Sequence, residues 1–250
     1  MLAAIALIPI MLAVAVALSS ERLAPGEGPP FLDRVTQNAL FTGFTAMLLA
    51  MPLFLPLTIS VVSGDTIAGE AGQGTLRYLL IAPVSRLRLL VVKYLGTIAF
   101  TLAGTFLLML SGALIGALLF PVGPVTLLSG DVIGVGEAVG RMMLVAGYTT
   151  ISMTGMLAVG LFISTLTTIS VGAMTGVLVT SGVRKILDNL PPFEVIHTWL
   201  FTHYWLDFAD ILRQPIELSS MGSNALLQLG YVAVFGSLAY GRLASKDILS

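Results

Sequence analysis

Glu70, Gly74, Thr75, Leu76, Arg77, Leu79, Leu80, Pro83, Arg86 and Lys93 share one polar, Gly-punctuated stretch, residues 63–93, between two apolar runs. Lipid does not tolerate these charges, so the stretch faces water, where it offers a docking surface to a soluble partner. Leu76, Leu79 and Leu80 fall at i, i+3 and i+4 and share one helical face, with Arg77 pointing elsewhere. The run from Gly69 to Thr75 superficially matches a phosphate loop. The lysine that would contact phosphate is absent and no strand precedes it, so it is not a nucleotide site. An ordinary solvated loop is the plain alternative, and the ordered Leu pattern argues against it.

Other constellations are weaker. His203, Asp207 and Asp210 fall at i, i+4 and i+7, one face of a helix that could offer metal ligands, with His197 nearby in sequence. No fourth ligand or supporting shell is visible, so the expectation is polar decoration of an interfacial helix and no metal. No serine stands in a Gly-x-Ser-x-Gly setting, and no catalytic residue is assigned. The absence of cysteine excludes disulfides, thiolate metal sites and a cysteine nucleophile. A net charge of -1, without a basic stripe interleaved with aromatics, excludes nucleic acid as a partner.

The elements that position the polar stretch follow from composition. The chain of 250 residues is 56% hydrophobic and 10% charged, against about 25% charged in soluble domains, which marks an all-α integral membrane protein. The first span is 1–18, apolar and without the basic n-region of a signal peptide. The second is 39–62, with Pro52 and Pro56 expected to kink or loosen its middle. The third is 89–120, with Lys93 placed to snorkel to the interface. From 142 to 182 no charged side chain occurs. That is roughly 60 Å of helix, twice a hydrocarbon core, so it must fold into two spans, 142–163 and 168–183. The turn is expected in the Ser/Thr-rich run 164–170, whose hydroxyls can serve backbone groups. The sixth span is 225–241. Residues 184–224 hold Pro191, Pro192, both tryptophans and both histidines, and are expected to form short interfacial helices with an aromatic belt.

Six spans put both termini on the side of the 63–93 stretch. Lys and Arg divide evenly between the two sides, but Arg77, Arg86, Arg88 and Lys93 cluster on that one, which favours it as cytoplasmic. Gly112-x-x-x-Gly116 and Gly172-x-x-x-Gly176 allow close helix approach, and intramolecular packing is expected of the first. Charged residues are absent from the interiors of the six proposed spans, whereas ion-coupled carriers keep them there. Energy for transport would therefore come from outside the membrane domain, and apolar spans suit a hydrophobic or amphipathic cargo.

The pattern Glu70, Gly74, Thr75, Leu76, then Leu79 and Leu80, then Pro83, Val84, Ser85 and Arg86, then Lys93 resembles the type-2 permeases of ABC transporters. The six expected spans, the long segment before the last one and the Lys-Asp-Ile near the end are also similar to that family, over nearly the whole chain. The second acidic position of the motif is Gly72 here, which removes the contact expected of that carboxylate. Such permeases begin with an amphipathic elbow helix, whereas Met1 already opens the apolar run, so the start is either truncated or built without the elbow.

The resemblance implies a coupling helix at about 66–82 that sits in a groove of an ATP-binding subunit. Glu70, Gly74, Thr75, Leu76, Arg77, Leu79, Leu80, Pro83 and Arg86 would make or frame that contact. It implies two copies of the ATPase, ATP and magnesium bound there and no cofactor in this chain, and a second permease copy packed along spans one and five. It also implies a bacterial or archaeal plasma membrane and export of a drug, antibiotic, lipid or peptide. An uncoupled channel and a membrane-embedded enzyme are the alternatives.

Overall fold

The computed structural model describes residues 1–20, 30–75 and 85–245, and these are mostly helical. In chain order they form α1 (Leu2–Ser20), α2 (Pro30–Gln37), α3 (Phe41–Leu49), a π turn (Ala50–Phe54) and α4 (Leu55–Gly72). Next come α5 (Arg86–Leu119), β1 (Val125–Thr126), β2 (Val132–Ile133), α6 (Val135–Leu166) and α7 (Ser170–Asp188). A 3-10 turn (Pro191–Phe193), α8 (Glu194–His197), a longer 3-10 helix (His203–Leu212) and α9 (Ser219–Ala244) complete the order. Leu2–Ser19, Phe41–Gly72, Arg86–Leu119 and Val135–Leu166 are long and apolar enough to cross a membrane. The segments expected as spans five and six are helical, as α7 and α9, but are not among those four.

Local chemistry accounts for the breaks. Pro52 and Pro56 remove two donors from the helical ladder, and the backbone widens into the π turn beside them. Between α6 and α7 the chain turns at residues 167–169, where Thr167 Oγ1 accepts the Ile169 N–H at 3.0 Å. On α5 the large apolar residues Leu110, Leu114 and Leu118 recur every fourth position and are exposed, as on a helix facing lipid.

The polar residues after Val62 do not end the second long helix. α4 continues without interruption to Gly72, so residues 66–72, expected as the start of a coupling helix, are its last turns. Hydroxyls along the helix are satisfied by its own backbone. Ser60, Ser63 and Thr66 each donate to the carbonyl four residues earlier, at 2.6, 2.7 and 2.8 Å.

The described chain forms two compact units. The first comprises Met1–Phe54, Leu102–Thr150 and Leu206–Met221. Within it α5 lies so close to α3 that a Cβ on Gly112 would stand 2.6 Å from the Gly43 Cα, so the first Gly-x-x-x-Gly pair works inside the chain. β1 and β2 form a minimal antiparallel pair. Arg34 straps the adjoining loop by donating to the Thr126 and Leu127 carbonyls at 2.7 and 2.8 Å. Asn38 donates to Gly123 and Pro124.

The second unit comprises Leu55–Thr101, Ile151–Trp205 and Gly222–Ser250. α4 and α7 meet backbone to backbone, since a Cβ on Gly64 would lie 2.7 Å from the Met174 nitrogen. A buried polar network fixes α9: Asn224 donates to Ser152 Oγ at 2.7 Å, and Gln228 donates to Asn224 and the Phe201 carbonyl. Gln228 also accepts the Gly155 N–H at 3.0 Å, so the amides are partnered in an apolar surrounding.

The aromatic segment differs from the expected belt. Trp205, Phe208 and Ile211 recur every three residues along the 3-10 helix and are buried, as is Phe201, whereas Trp199 is 71% exposed. Three residues per turn, rather than 3.6, stacks positions i and i+3 and gathers these side chains onto one inward face.

Candidate functional site

Three helix ends in the second unit come together at the polar residues Glu70, Arg86 and Lys93: the C-terminus of α4, the N-terminus of α5 and the C-terminus of α9. Ile67, Leu90, Leu161, Ala239 and Leu243 form the apolar cluster beneath them, with Ala71, Leu89, Tyr94 and Phe162 packed around it.

α4 stops at a glycine for a backbone reason. Gly74 has φ +70°, the left-handed conformation that L side chains disfavour. The Thr75 N–H bonds the Glu70 carbonyl at 2.9 Å and the Gly74 N–H bonds the Ala71 carbonyl at 3.1 Å. These two bonds make a Schellman cap. Thr75 Oγ1 adds a third bond to the Glu70 carbonyl at 3.2 Å. The Glu-x-x-x-Gly-Thr spacing is thus the grammar of a helix stop, with Glu70, Gly74 and Thr75 as its parts.

The Glu70 side chain does not project freely. Its Oε1 accepts from Lys93 Nζ on α5 in an ion pair whose side chains are 26% and 27% exposed. Arg86, in the first turn of α5, donates through Nη1 to the carbonyls of Leu243 and Ala244 at 2.6 and 2.5 Å. Those are terminal carbonyls of α9 that lack partners within the helix. The arrangement also resolves an electrostatic conflict. Cations in the opening turns of a helix oppose its dipole, and here two of them, Arg86 and Lys93, reach acceptors on other helices.

One side chain enters the α4 backbone from α6. Ser164 Oγ donates to the Gly64 carbonyl at 2.7 Å and accepts from the Ile67 and Ala68 N–H groups at 2.9 and 2.8 Å. Gly64 and Ala68 are ordinary i and i+4 ladder partners, so the hydroxyl sits beside the ladder of α4, four to eight residues before its last residue, Gly72. Only the long-range packing identifies Ser164, because in sequence it is one hydroxyl residue among several.

Of the residues expected to contact a partner, Glu70, Gly74, Thr75 and Arg86 therefore converge on these helix ends. Leu76, Leu79 and Leu80, the expected apolar face, lie outside the described residues, as do Arg77 and Pro83. The His203, Asp207 and Asp210 set is not one ligand face. His203 Nδ1 is 2.7 Å from Asp188, while Asp210 accepts from Ser220 at 3.0 Å and lies 3.7 Å from Arg213. No group of three or more His, Cys, Asp or Glu able to hold a metal ion occurs among the described residues.

No curated protein matches the chain. The family profile described as a protein of unknown function, DUF2705, matches residues 6–249. Because that match covers nearly the full length of the sequence, the chain belongs to the DUF2705 family.

Proposed function

We propose that this chain is the membrane subunit of an ATP-driven transporter, resembling the type-2 ABC permeases, and exports a hydrophobic or amphipathic cargo. In this reading six helices cross the membrane, with α7 and α9 added to the four that are long and apolar enough on their own. Both termini face the cytoplasm of a bacterial or archaeal cell. Two permease copies pair along α1 and α7, and each engages one separate ATPase subunit, which binds ATP and magnesium. The chain itself is not an enzyme.

The observation that carries the proposal is the way the segment 76–84 is anchored. It leaves α4 through the cap at Gly74 and rejoins α5 one residue before Arg86, which holds the end of α9. A soluble subunit gripping Leu76, Leu79 and Leu80 would push on α4, α5 and α9 together, through the Glu70–Lys93 pair and the Arg86 cap. An uncoupled channel or a membrane enzyme has no need of such a linkage.

Affinity purification of the full chain from its native membrane tests this. An ATP-hydrolysing subunit should co-purify with the wild type and be lost on Leu76→Asp or Arg77→Glu. Retention of that subunit by both variants would overturn the docking assignment, and no associated ATPase in the wild type would overturn the transporter reading.

A further inference from the structure

Two apolar clefts of the second unit meet at one cation. A cavity of about 690 Å³ runs along α9 past Leu226, Leu227, Val234 and Phe235, and a second of about 470 Å³ runs along α7 past Val179, Val183 and Leu187. Both are also lined by Arg184, Trp199 and Tyr231. The volumes lie in the range of small-molecule sites.

Arg184 is built into this junction. Its guanidinium carbon stands 4.9 Å from the ring centroids of both Phe201 and Tyr231, and Nη1 donates to the Tyr231 hydroxyl. That hydroxyl in turn donates to the Trp199 carbonyl at 2.8 Å. The carboxylate one helical turn away, Asp188, is engaged by His203 at 2.7 Å and Lys185 at 3.6 Å. Among the described residues no carboxylate pairs with Arg184. A guanidinium has five N–H donors, of which Nη1 supplies the Tyr231 hydroxyl here.

We propose that Arg184 and its two flanking clefts bind one anionic, two-chain phospholipid of the surrounding bilayer. The headgroup phosphate takes the in-plane donors of Arg184, and one acyl chain lies along each cleft. Three features favour this occupant. Among the described residues no carboxylate pairs with the cation, and the two clefts that share it run along different helices, α9 and α7. Exposed apolar and aromatic side chains at the rim, Trp199 and Leu226 at 71% and 73%, suit an interfacial position. The proposal requires a membrane protein and stands independently of the transport reading.

Trp199 supplies the probe. The full chain is placed in phosphatidylcholine nanodiscs containing a small fraction of acyl-brominated phosphatidylglycerol or, separately, brominated phosphatidylcholine. Trp199 fluorescence is taken as the wild-type signal less that of Trp199→Phe. Quenching at low lipid fraction should favour the anionic lipid about fivefold, or about 1 kcal/mol. Arg184→Gln should remove the preference and Arg184→Lys should retain most of it. Gly230→Leu, in a cleft where an added Cβ meets nothing within 4 Å, should reduce quenching by the anionic lipid while leaving Arg184 in place. Equal quenching by the two lipids in the wild type, or a preference that survives Arg184→Gln, overturns the proposal. So does protection of Trp199 from both lipids, which would mean that a second copy of the chain covers the clefts.

Discussion

Glu70 on α4 and Lys93 on α5 form an ion pair with each side chain about three-quarters buried. The pair ties the last turns of one long helix to the opening turns of the next, immediately before and after the polar segment that joins them. Removing either partner leaves the other charge poorly hydrated, so Glu70→Ala and Lys93→Ala should each destabilise the fold by about 1–3 kcal/mol. The Glu70→Lys/Lys93→Glu exchange should recover part of the loss. Thermal unfolding in detergent of both single variants and the exchanged pair measures the coupling. Losses that simply add, without recovery, would show that the pair contributes nothing.

Gly74 makes a cleaner backbone prediction. Nothing stands within 4 Å of a Cβ added there, so the cost of a side chain comes from the positive φ alone. Gly74→Ala should cost about 1–2 kcal/mol, and Gly74→Asn less, because Asn tolerates the left-handed region. Equal melting temperatures for Gly74→Ala and the wild type would remove the cap from the account of how α4 ends.

Much of the helical order was legible because its signals are local. The turn between α6 and α7 falls within a Ser/Thr-rich run, and the π turn accompanies two prolines four residues apart. The continuation of α4 to Gly72 was not legible. Ser63, Asp65 and Glu70 read as a departure from lipid, yet Ser63 bonds its own helix and Glu70 finds Lys93 across a separation of 23 residues. The acceptors of Arg86 were not legible for the same reason: Leu243 and Ala244 lie at the other end of the chain. Local pattern reports that a charge must be accommodated, but a partner brought in by tertiary folding decides where.

The contact of α4 with α7 should be intolerant of one methyl group. At Gly64 a Cβ would approach the Met174 nitrogen to 2.7 Å and its Cα to 2.8 Å, and backbone cannot step aside as a flexible side chain can. Gly64→Ala should therefore separate the helices and cost about 1–3 kcal/mol despite the better helix propensity of alanine. Ser164→Ala acts on the same α4 backbone without adding volume, removing one acceptor from Ile67 and Ala68 and one donor to Gly64. Because α4 is a continuous helix whose own backbone can serve these groups, the penalty should be below about 1 kcal/mol. Unfolding measurements on the two variants rank steric contact against hydrogen bonding. A stable Gly64→Ala would contradict the close approach.

Arg141 should be the most sensitive charged residue in the first unit. Its side chain is nearly buried, and Nη1 donates to the Ile211 and Arg213 carbonyls at 2.7 and 2.8 Å. Nη2 donates to Glu137 and Gln214, each at 2.8 Å. One guanidinium on α6 thus holds the chain between the 3-10 helix and α9 through its backbone, where no regular ladder would do so. Glu137 is half-exposed and supplies a weaker share. Arg141→Met preserves much of the apolar stem but orphans both carbonyls, so it should cost about 3 kcal/mol. Arg141→Lys should fare little better, since an ammonium cannot span the same forked set of acceptors. Glu137→Gln should cost less than about 1 kcal/mol. Limited proteolysis supplies the local readout: cleavage between residues 206 and 218 should accelerate in Arg141→Met and Arg141→Lys but not in Glu137→Gln. Unchanged cleavage in Arg141→Met would mean that the apolar side chains Phe208, Ile211 and Leu212, all buried, hold the segment without it.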